Sequence, residues 1–401
     1  MIHRIFLLLL LLMWLPDVFI FRRFIKPRNS FLRKCRWLYW LPTMVLTLAL
    51  LFMLTGDNFT TFRVTLTGIY MITYLTIVVP KCLFVLFSLL GNLLALFKHL
   101  PLIGRVFKWP IRPVFNTIGV LMAFTGAYII LYGFLYGWRR FEVEEITFTH
   151  TDVPESFDGY RIVQISDFHM GTIASYAEDI RRAVEMINAQ QPDLIAFTGD
   201  LVNNEAIELD GVEEILAELK ARDGVFSVLG NHDYAPYRHW PSRRAQAENL
   251  ADLKRREKAM GWQLLLNENR LIVRGNDSIA IVGVENDGKP PFPSMGDLPH
   301  ATKGTEGLFK LLLSHDPSHW RRKVLPETDI QLTLSGHTHA MQFRLGSFSP
   351  SLWIYPEWAG LYTEGERGLY VNTGIGSVMM PYRFGAWPEI SVITLQRKAE
   401  N

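Results

Sequence analysis

The sequence predicts an α/β domain of two packed sheets with helices outside, an αββα sandwich, preceded by an all-α transmembrane domain of about four helices. Three observations carry this expectation. The long apolar runs fall in the first part of the 401-residue chain, before about residue 140. After them, short β-branched runs alternate with stretches of helical period. Towards the C-terminus, strand patterns outnumber helical ones. The change of composition lies near 138–143, which divides the chain into an anchor domain, 1–140, and a globular domain, 141–401. A formal charge of +2 gives no electrostatic reason to expect a nucleic-acid partner. The two cysteines, Cys35 and Cys82, both precede the boundary, so a metal in the globular domain must be held by nitrogen and oxygen.

A helix crossing the hydrocarbon core needs ~20 mostly apolar residues. Four stretches qualify: 5–21, 37–56, 64–97 and 115–137. The first resembles a secretory signal, but it lacks a small-residue cleavage site and runs directly into Arg22, Arg23 and Lys26. It reads as a retained helix. The third is too long for one simple span and contains Pro80-Lys81. It reads as a span ending near Lys81, which reaches towards the headgroups, followed by an interfacial or bent helix to Phe97. The first loop carries Arg22, Arg23, Lys26, Arg28, Arg33, Lys34 and Arg36, the third Lys98, Arg105, Lys108 and Arg112, and the second one arginine. Loops one and three are therefore cytoplasmic by the positive-inside rule. Four spans then place both the N-terminus and the globular domain outside the cytoplasm, at the plasma or inner membrane, although Arg139 and Arg140 pull weakly the other way. Few ionisable residues interrupt the spans, so this domain reads as an anchor rather than a transport pathway.

In the globular domain, 160–166 (YRIVQIS) reads as a buried strand, and 176–190 as a helix with Ile180, Val184 and Ile187 on one face and Ser175 as N-cap. Strand 194–198, helix 212–221 and strand 225–229 follow, a pattern that implies parallel pairing through right-handed crossovers. Residues 270–273 and 279–284 straddle Gly275-Asn276-Asp277, a hairpin signal. Strands at 309–313, 331–334, 369–371 and 390–395 complete the set.

Ligands of open α/β sheets gather at the carboxyl ends of strands. Here those ends carry Asp167-Phe168-His169, Gly199-Asp200, Gly230-Asn231-His232-Asp233, Ser314-His315-Asp316 and Gly336-His337-Thr338-His339. Imidazole and carboxylate suit divalent Zn, Mn or Fe. Two such ions ~3.5–4 Å apart stabilise attacking and leaving oxygens in phosphoryl displacement, and one carboxylate can bridge them. In extended chain, the two ends of Asp-x-His or His-x-His share a side. The glycines at 199, 230 and 336 permit sharp turns and close backbone approach.

The ordered set D-x-H, G-D, G-N-H-D, S-H-D and G-H-T-H resembles the calcineurin-like metallophosphoesterase superfamily over about 157–396. The later VNTGIG and RFGAWPEI are similar to its membrane-associated branch of YkuE/YaeI-type phosphodiesterases. The resemblance implies two divalent ions. Asp167, His169 and His339 would hold the first, and Asn231, His315 and His337 the second, with Asp200 bridging. His232 would stabilise the transition state or protonate the leaving oxygen, and a metal-bound hydroxide would be the nucleophile. The branch often has glycine after the last His, where this chain has Ala340.

The expected activity is hydrolysis of a phosphoester, a phosphodiester before a monoester, on a lipid or envelope-linked substrate near the membrane. The alternative is a metal-binding receptor or scaffold without turnover. Arg383 is a candidate partner for a substrate phosphate. Asp233 and Asp316 either orient neighbouring imidazoles or sit in solvated turns. His239, His300 and His319 read as surface histidines. The cluster Arg243, Arg244, Lys254, Arg255, Arg256 and Lys258 reads as a solvated helix face before a lipid contact. Trp353, Tyr355, Trp358 and Tyr362 read as loop packing before an apolar rim or a membrane contact.

Overall fold

The computed structural model describes residues 2–26, 36–54, 61–97, 110–173 and 175–399, without the side chains of 2–5, 54 and 61–67. Arg28, Arg33, Lys34, Cys35, Lys98, Arg105 and Lys108 lie outside the described residues. The chain divides into two compact units, Met1–Leu135 and Tyr136–Asn401.

The first unit consists of helices α1 (Ile2–Ile20), α2 (Leu41–Leu54), α3 (Thr61–Phe97) and α4 (Ile111–Leu135). Among the described residues, three stretches are long and apolar enough to cross a membrane: Arg36–Met53, Gly68–Phe97 and Ile111–Arg139. The expected break at Pro80-Lys81 is absent. α3 is a single helix of 37 residues with Pro80 inside it. Its packing against α4 explains the continuity. A Cβ at Gly91 would lie 2.5 Å from Phe115 Cβ, one at Gly119 would lie 3.1 Å from the Phe84 carbonyl, and one at Gly126 would lie 2.6 Å from Leu83 Cδ1. Small residues let the two backbones approach closely, and these contacts bind the half of α3 that follows the proline.

Lys81 does not reach for headgroups either. Its ammonium lies 2.8 Å from the fully buried Asp17 carboxylate of α1. Tyr39 donates to the same carboxylate at 2.6 Å, and Thr43 also donates to it. A lone carboxylate in hydrocarbon is expensive, and these three donors satisfy it while tying α1 to α2 and α3. The apolar cluster of Met13, Leu46, Leu50, Tyr70, Tyr74 and Val78 packs the same three helices together.

The second unit is built on two six-stranded sheets. The first runs in the order β1 (Glu142–His150), β12 (Glu389–Arg397), β2 (Arg161–Ile165), β3 (Leu194–Phe197), β4 (Val225–Ser227), β5 (Gln263–Leu264). The second runs β10 (Gly360–Glu364), β11 (Arg367–Val371), β9 (Leu332–Ser335), β8 (Phe309–Leu313), β7 (Asp277–Gly283), β6 (Glu268–Arg274). β2, β3 and β4 pair in parallel as their spacing predicts, and β6 and β7 form the expected antiparallel hairpin. The expectation did not include β1, β5 and β10, or the insertion of β12 between β1 and β2.

Strand alternation sorts side chains into layers. Ile162, Leu194, Phe226, Ile281, Leu311 and Leu334 fill the space between the sheets. Val163, Ile165, Ile195 and Phe197 face the other way, against Ile180, Val184 and Ile187 of α5 (Ala177–Ala189). Ala280, Val282 and Leu312 pack outward against Trp320 and Val324. The result is the expected αββα order.

Two helical expectations need correction. α5 is preceded by Tyr176 and has no side-chain cap, so Ser175 does not cap it. The expected helix at 212–221 is a single turn, Glu213–Leu216, after which the chain tightens through Glu218 N–H to Ile215 O and Leu219 N–H to Leu216 O. The basic cluster lies on α6 (Arg243–Ala259), where Arg244 pairs with Glu248, Arg255 with Asp252, and Arg256 with Asp210, Glu213 and Asp252. That is the solvated, ion-paired face.

Candidate metal centre

The seven residues at the strand ends converge, although not through extended chain. Asp167 (φ +53°), His169 (+49°), Asp200 (+59°), His337 (+73°) and His339 (+49°) all have left-handed backbone. Each such residue costs of order 1–3 kcal/mol and persists only where its surroundings impose it. Hydrogen bonds past the strand ends impose it here: Asp167 N–H to Gly199 O (2.9 Å), His169 N–H to Asp200 O (3.2 Å) and Met170 N–H to Leu201 O (3.0 Å). His337 N–H is also directed at the Asp167 carboxylate, at 3.0 Å. After His339 the same conformation continues through Ala340, Met341 and Gln342. The chain thus makes a left-handed turn at Ala340 without glycine.

Close approach fixes two of the glycines. A Cβ on Gly230 would lie 2.1 Å from Asp200 Oδ1, and one on Gly336 would lie 2.3 Å from Asp167 Oδ2 and 2.0 Å from Ser166 Oγ. Gly336→Ala is therefore expected to cost about 1–3 kcal/mol through overpacking and to displace Asp167. A lowered melting temperature of the chelated protein, together with reduced metal uptake, checks this.

Three groups of side chains could each hold a cation: Asp167, His169 and His339; His169, Asp200 and His232; Asp200, His315 and His337. His339 Nε2 lies 3.1 Å from Asp167 Oδ1 and 3.0 Å from His169 Nε2. Asp200 Oδ2 lies 3.6 Å from His169 Nε2 and 3.2 Å from His315 Nε2. His337 Nδ1 lies 3.3 Å from His315 Nε2. Asn231 Oδ1 is buried without a hydrogen-bond partner, while its amide nitrogen donates to Tyr237 at 2.8 Å.

The far sides of the rings explain why these atoms are bare. His169 Nδ1 faces Asn203 Oδ1 at 2.9 Å, His315 Nδ1 the Thr198 carbonyl at 2.7 Å, and His232 Nδ1 the Asn203 carbonyl at 2.9 Å. Those contacts place a proton on Nδ1 of each ring and turn Nε2 away from it. The Nε2 atoms of these rings, two carboxylates and an unpartnered amide oxygen thus gather at one place. Together with His337 and His339, these groups form a nitrogen and oxygen donor set of the kind that fits divalent cations.

Carboxylates and imidazoles offset one another's charge here. Burial disfavours ionised Asp167 and Asp200, yet the surrounding imidazoles, His339 foremost for Asp167 and His315 for Asp200, hold both below the usual carboxylate range. Burial likewise opposes charge on His315, but the Asp200 carboxylate outweighs it and pushes the His315 pKa up to about 10. At His339, burial prevails over Asp167 and pushes the pKa down to about 4.

Around this centre, Asp233 is no solvated turn residue. It is fully buried and accepts from the N–H groups of Asp200, Leu201, Val202 and Gly230. Asp316 is also buried; one oxygen accepts from Ser318 N–H, and the other lies 3.8 Å from His337 Nε2.

Arg383 is not placed to meet a substrate. It is fully buried and donates to the carbonyls of Gly376, Ala386 and Thr373, with Nη2 3.0 Å from His339 Nδ1. It holds the loop behind His339. His319 is likewise no surface histidine: it is buried, with Nδ1 2.9 Å from Ser314 Oγ. His239 and His300 are exposed as expected.

The sequence does not single out Asn203 or Tyr237, and Tyr355 reads from it as loop packing. Asn203 orients both His169 and His232. Its signal was an amide three residues beyond the Gly-Asp strand end. Tyr355 OH lies 2.7 Å from His337 Nε2, and the Tyr237 ring lies 4.5 Å from that of His232, tilted by 44°.

Residues 160–341 match the calcineurin-like phosphoesterase family, and residues 3–138 match the transmembrane domain described as that of a probable calcineurin-like phosphoesterase. Over 279 residues, 65% of this chain and 90% of the relative, it is 32% identical to the uncharacterized metallophosphoesterase YkuE of Bacillus subtilis. It is 26% identical to the phosphodiesterase YaeI of Escherichia coli, covering 59% of this chain and 82% of that protein. It is 27% identical to the UDP-2,3-diacylglucosamine pyrophosphatase LpxG of Chlamydia trachomatis, covering 62% and 88%. With a helical membrane unit in front of a phosphoesterase sandwich, this chain belongs to the calcineurin-like phosphoesterase family as an integral membrane hydrolase of phosphoric esters.

Proposed function

We propose that the protein is a phosphodiesterase acting at the extracytoplasmic face of its membrane, on a lipid or envelope-linked phosphodiester, with two divalent cations. Asp167, His169 and His339 would hold one cation; Asn231, His315 and His337 the other; Asp200 would bridge them. The observation that carries this is the position of Asp200, whose Oδ2 lies within 3.6 Å of His169 and 3.2 Å of His315, one from each proposed set. Cations in such a donor set neutralise charge on phosphoryl oxygens and lower the pKa of water. A relative named as a phosphodiesterase and one named as a pyrophosphatase of a diacylated nucleotide sugar support the substrate class.

The chain's own residues set the proton chemistry. Burial lowers the His232 pKa against the pull of Asp200, so the resting ring is neutral. Its Nδ1 proton is directed at the Asn203 carbonyl, which leaves Nε2 to accept a proton and return it to a leaving oxygen. His232→Asn is expected to keep the metal content and lose about a hundredfold or more in turnover of bis-p-nitrophenyl phosphate. A scaffold without turnover would show no hydrolysis in the parent with Mn²⁺ or Zn²⁺ added, and that result would remove the proposal. A C-terminal fusion to a reporter active only outside the cytoplasm tests the sidedness; a silent fusion reverses it.

A further inference from the structure

The surface beside the centre carries a second feature that hydrolysis does not use. Residues 345–356 (LGSFSPSLWIYP) include no Asp, Glu, Lys or Arg. Their apolar side chains point outward: Trp353 is 76% exposed, Ile354 57%, Leu352 51% and Leu345 50%. Met341 and Met379, 42% and 79% exposed, continue the same surface, because Val378 N–H donates to Gln342 Oε1 at 2.5 Å and Phe384 N–H to Gln342 O at 3.0 Å. This exposure does not come from a loose loop. Ser349 Oγ donates to Ala340 O at 2.6 Å, Leu345 and Phe348 exchange backbone bonds at 2.9 and 3.0 Å, and Trp353 packs edge-on against Phe348. The base of the loop is pinned and its apolar tip is presented.

We propose that this loop is a membrane-docking element, with Trp353 and its neighbours seated in the headgroup and upper acyl region of the bilayer. Contiguous exposed apolar surface on a folded domain marks an interaction site. Two facts select the bilayer as occupant. The membrane unit is part of the same chain, so a bilayer is always within reach. The loop also has the composition of interfacial anchors, with Trp and aliphatic side chains and no charge to desolvate.

The loop is tied to the centre as well. Tyr355, its penultimate residue, lies with its hydroxyl 2.7 Å from His337 Nε2. Docking would therefore bring headgroup phosphodiesters to the centre. This part rests on the proposed membrane-located substrate; the docking itself does not.

The test uses the full chain with Cys35→Ser and Cys82→Ser, carrying Trp353→Cys labelled with a nitrobenzoxadiazole probe. The protein is reconstituted in vesicles of phosphatidylcholine and phosphatidylglycerol. The same label at Glu306→Cys, an exposed position away from the loop, is the control. The expected result is blue-shifted emission at position 353, severalfold stronger quenching by doxyl-labelled lipid than at 306, and protection from iodide. A probe at 353 that is quenched by iodide as fully as the one at 306 overturns the proposal. Protection from iodide without quenching by doxyl lipid means that protein covers the loop, and overturns it too. Hydrolysis of the soluble diester bis-p-nitrophenyl phosphate is read in parallel. Failure there refutes the phosphodiesterase reading and leaves the depth measurement to decide docking alone.

Discussion

Asp200→Asn is expected to lower turnover of bis-p-nitrophenyl phosphate by at least about a hundredfold, the upper range already seen for partners one step removed from a metal. The purified full-length variant should also retain no more than about half of the parent's divalent metal, because Asp200 is shared between both proposed sets. The substitution is nearly isosteric. An amide oxygen can still accept from His232 N–H, which reaches Asp200 Oδ1 at 2.8 Å. The other end of the side chain loses its charge and turns from acceptor to donor. Where Oδ2 faces His315 Nε2 at 3.2 Å and His169 Nε2 at 3.6 Å, the variant offers an uncharged NH₂ group that cannot hold a cation. The fold should survive and the chemistry should not. Elemental analysis and turnover are measured on the same preparation. Full metal content with a rate within about threefold of the parent would show that Asp200 does not bridge, since bridging ligands act as a unit.

Which residues converge is more legible in the sequence than the geometry that brings them together. Five strand ends carrying Asp, Asn and His in a fixed order were visible because sheet strands announce themselves by apolar runs and the polar residues follow at once. The backbone of the site was not visible. Reading Asp167-Phe168-His169 as extended chain was reasonable from a two-residue spacing, but both polar residues have φ near +50°. Long-range hydrogen bonds to 199–201 create that conformation, and no local propensity predicts it. Arg383 and His319 are buried against expectation for the same reason: a basic side chain gives no local sign that a loop will close over it. The Asp17–Lys81 pair joins residues 64 positions apart, so nothing local marks either as the other's partner. The Trp353 region, by contrast, was legible as aromatic-rich, and only the pinned loop showed that its apolar side chains face outward.

Asp233→Ala should destabilise the globular domain more than Gly336→Ala or Asp200→Asn. Asp233 accepts from four backbone N–H groups, those of Asp200 (2.8 Å), Leu201 (2.9 Å), Val202 (3.2 Å) and Gly230 (2.8 Å). Hydrogen bonds to a charged group contribute ~1.5–3 kcal/mol each, and a buried donor left alone costs ~1–3 kcal/mol. One effect works the other way. Burial and the neighbouring Asp200 charge push the Asp233 pKa up to about 7, so the carboxylate is partly disfavoured where it stands. Removing it relieves that repulsion as well as orphaning the donors. A cation beside Asp200 would already relieve the repulsion, leaving only the lost hydrogen bonds. The substitution should therefore cost at least about 3 kcal/mol in metal-saturated protein and less after chelation. At ~2–4 °C per kcal/mol for a domain of this size, the metal-saturated variant should melt roughly 6–12 °C below the parent. Thermal melts of parent and variant, each with Mn²⁺ and with chelator, measure both differences. Equal losses in the two conditions would mean that no cation sits beside Asp200, and the assignment of that carboxylate as the bridge would fall with it.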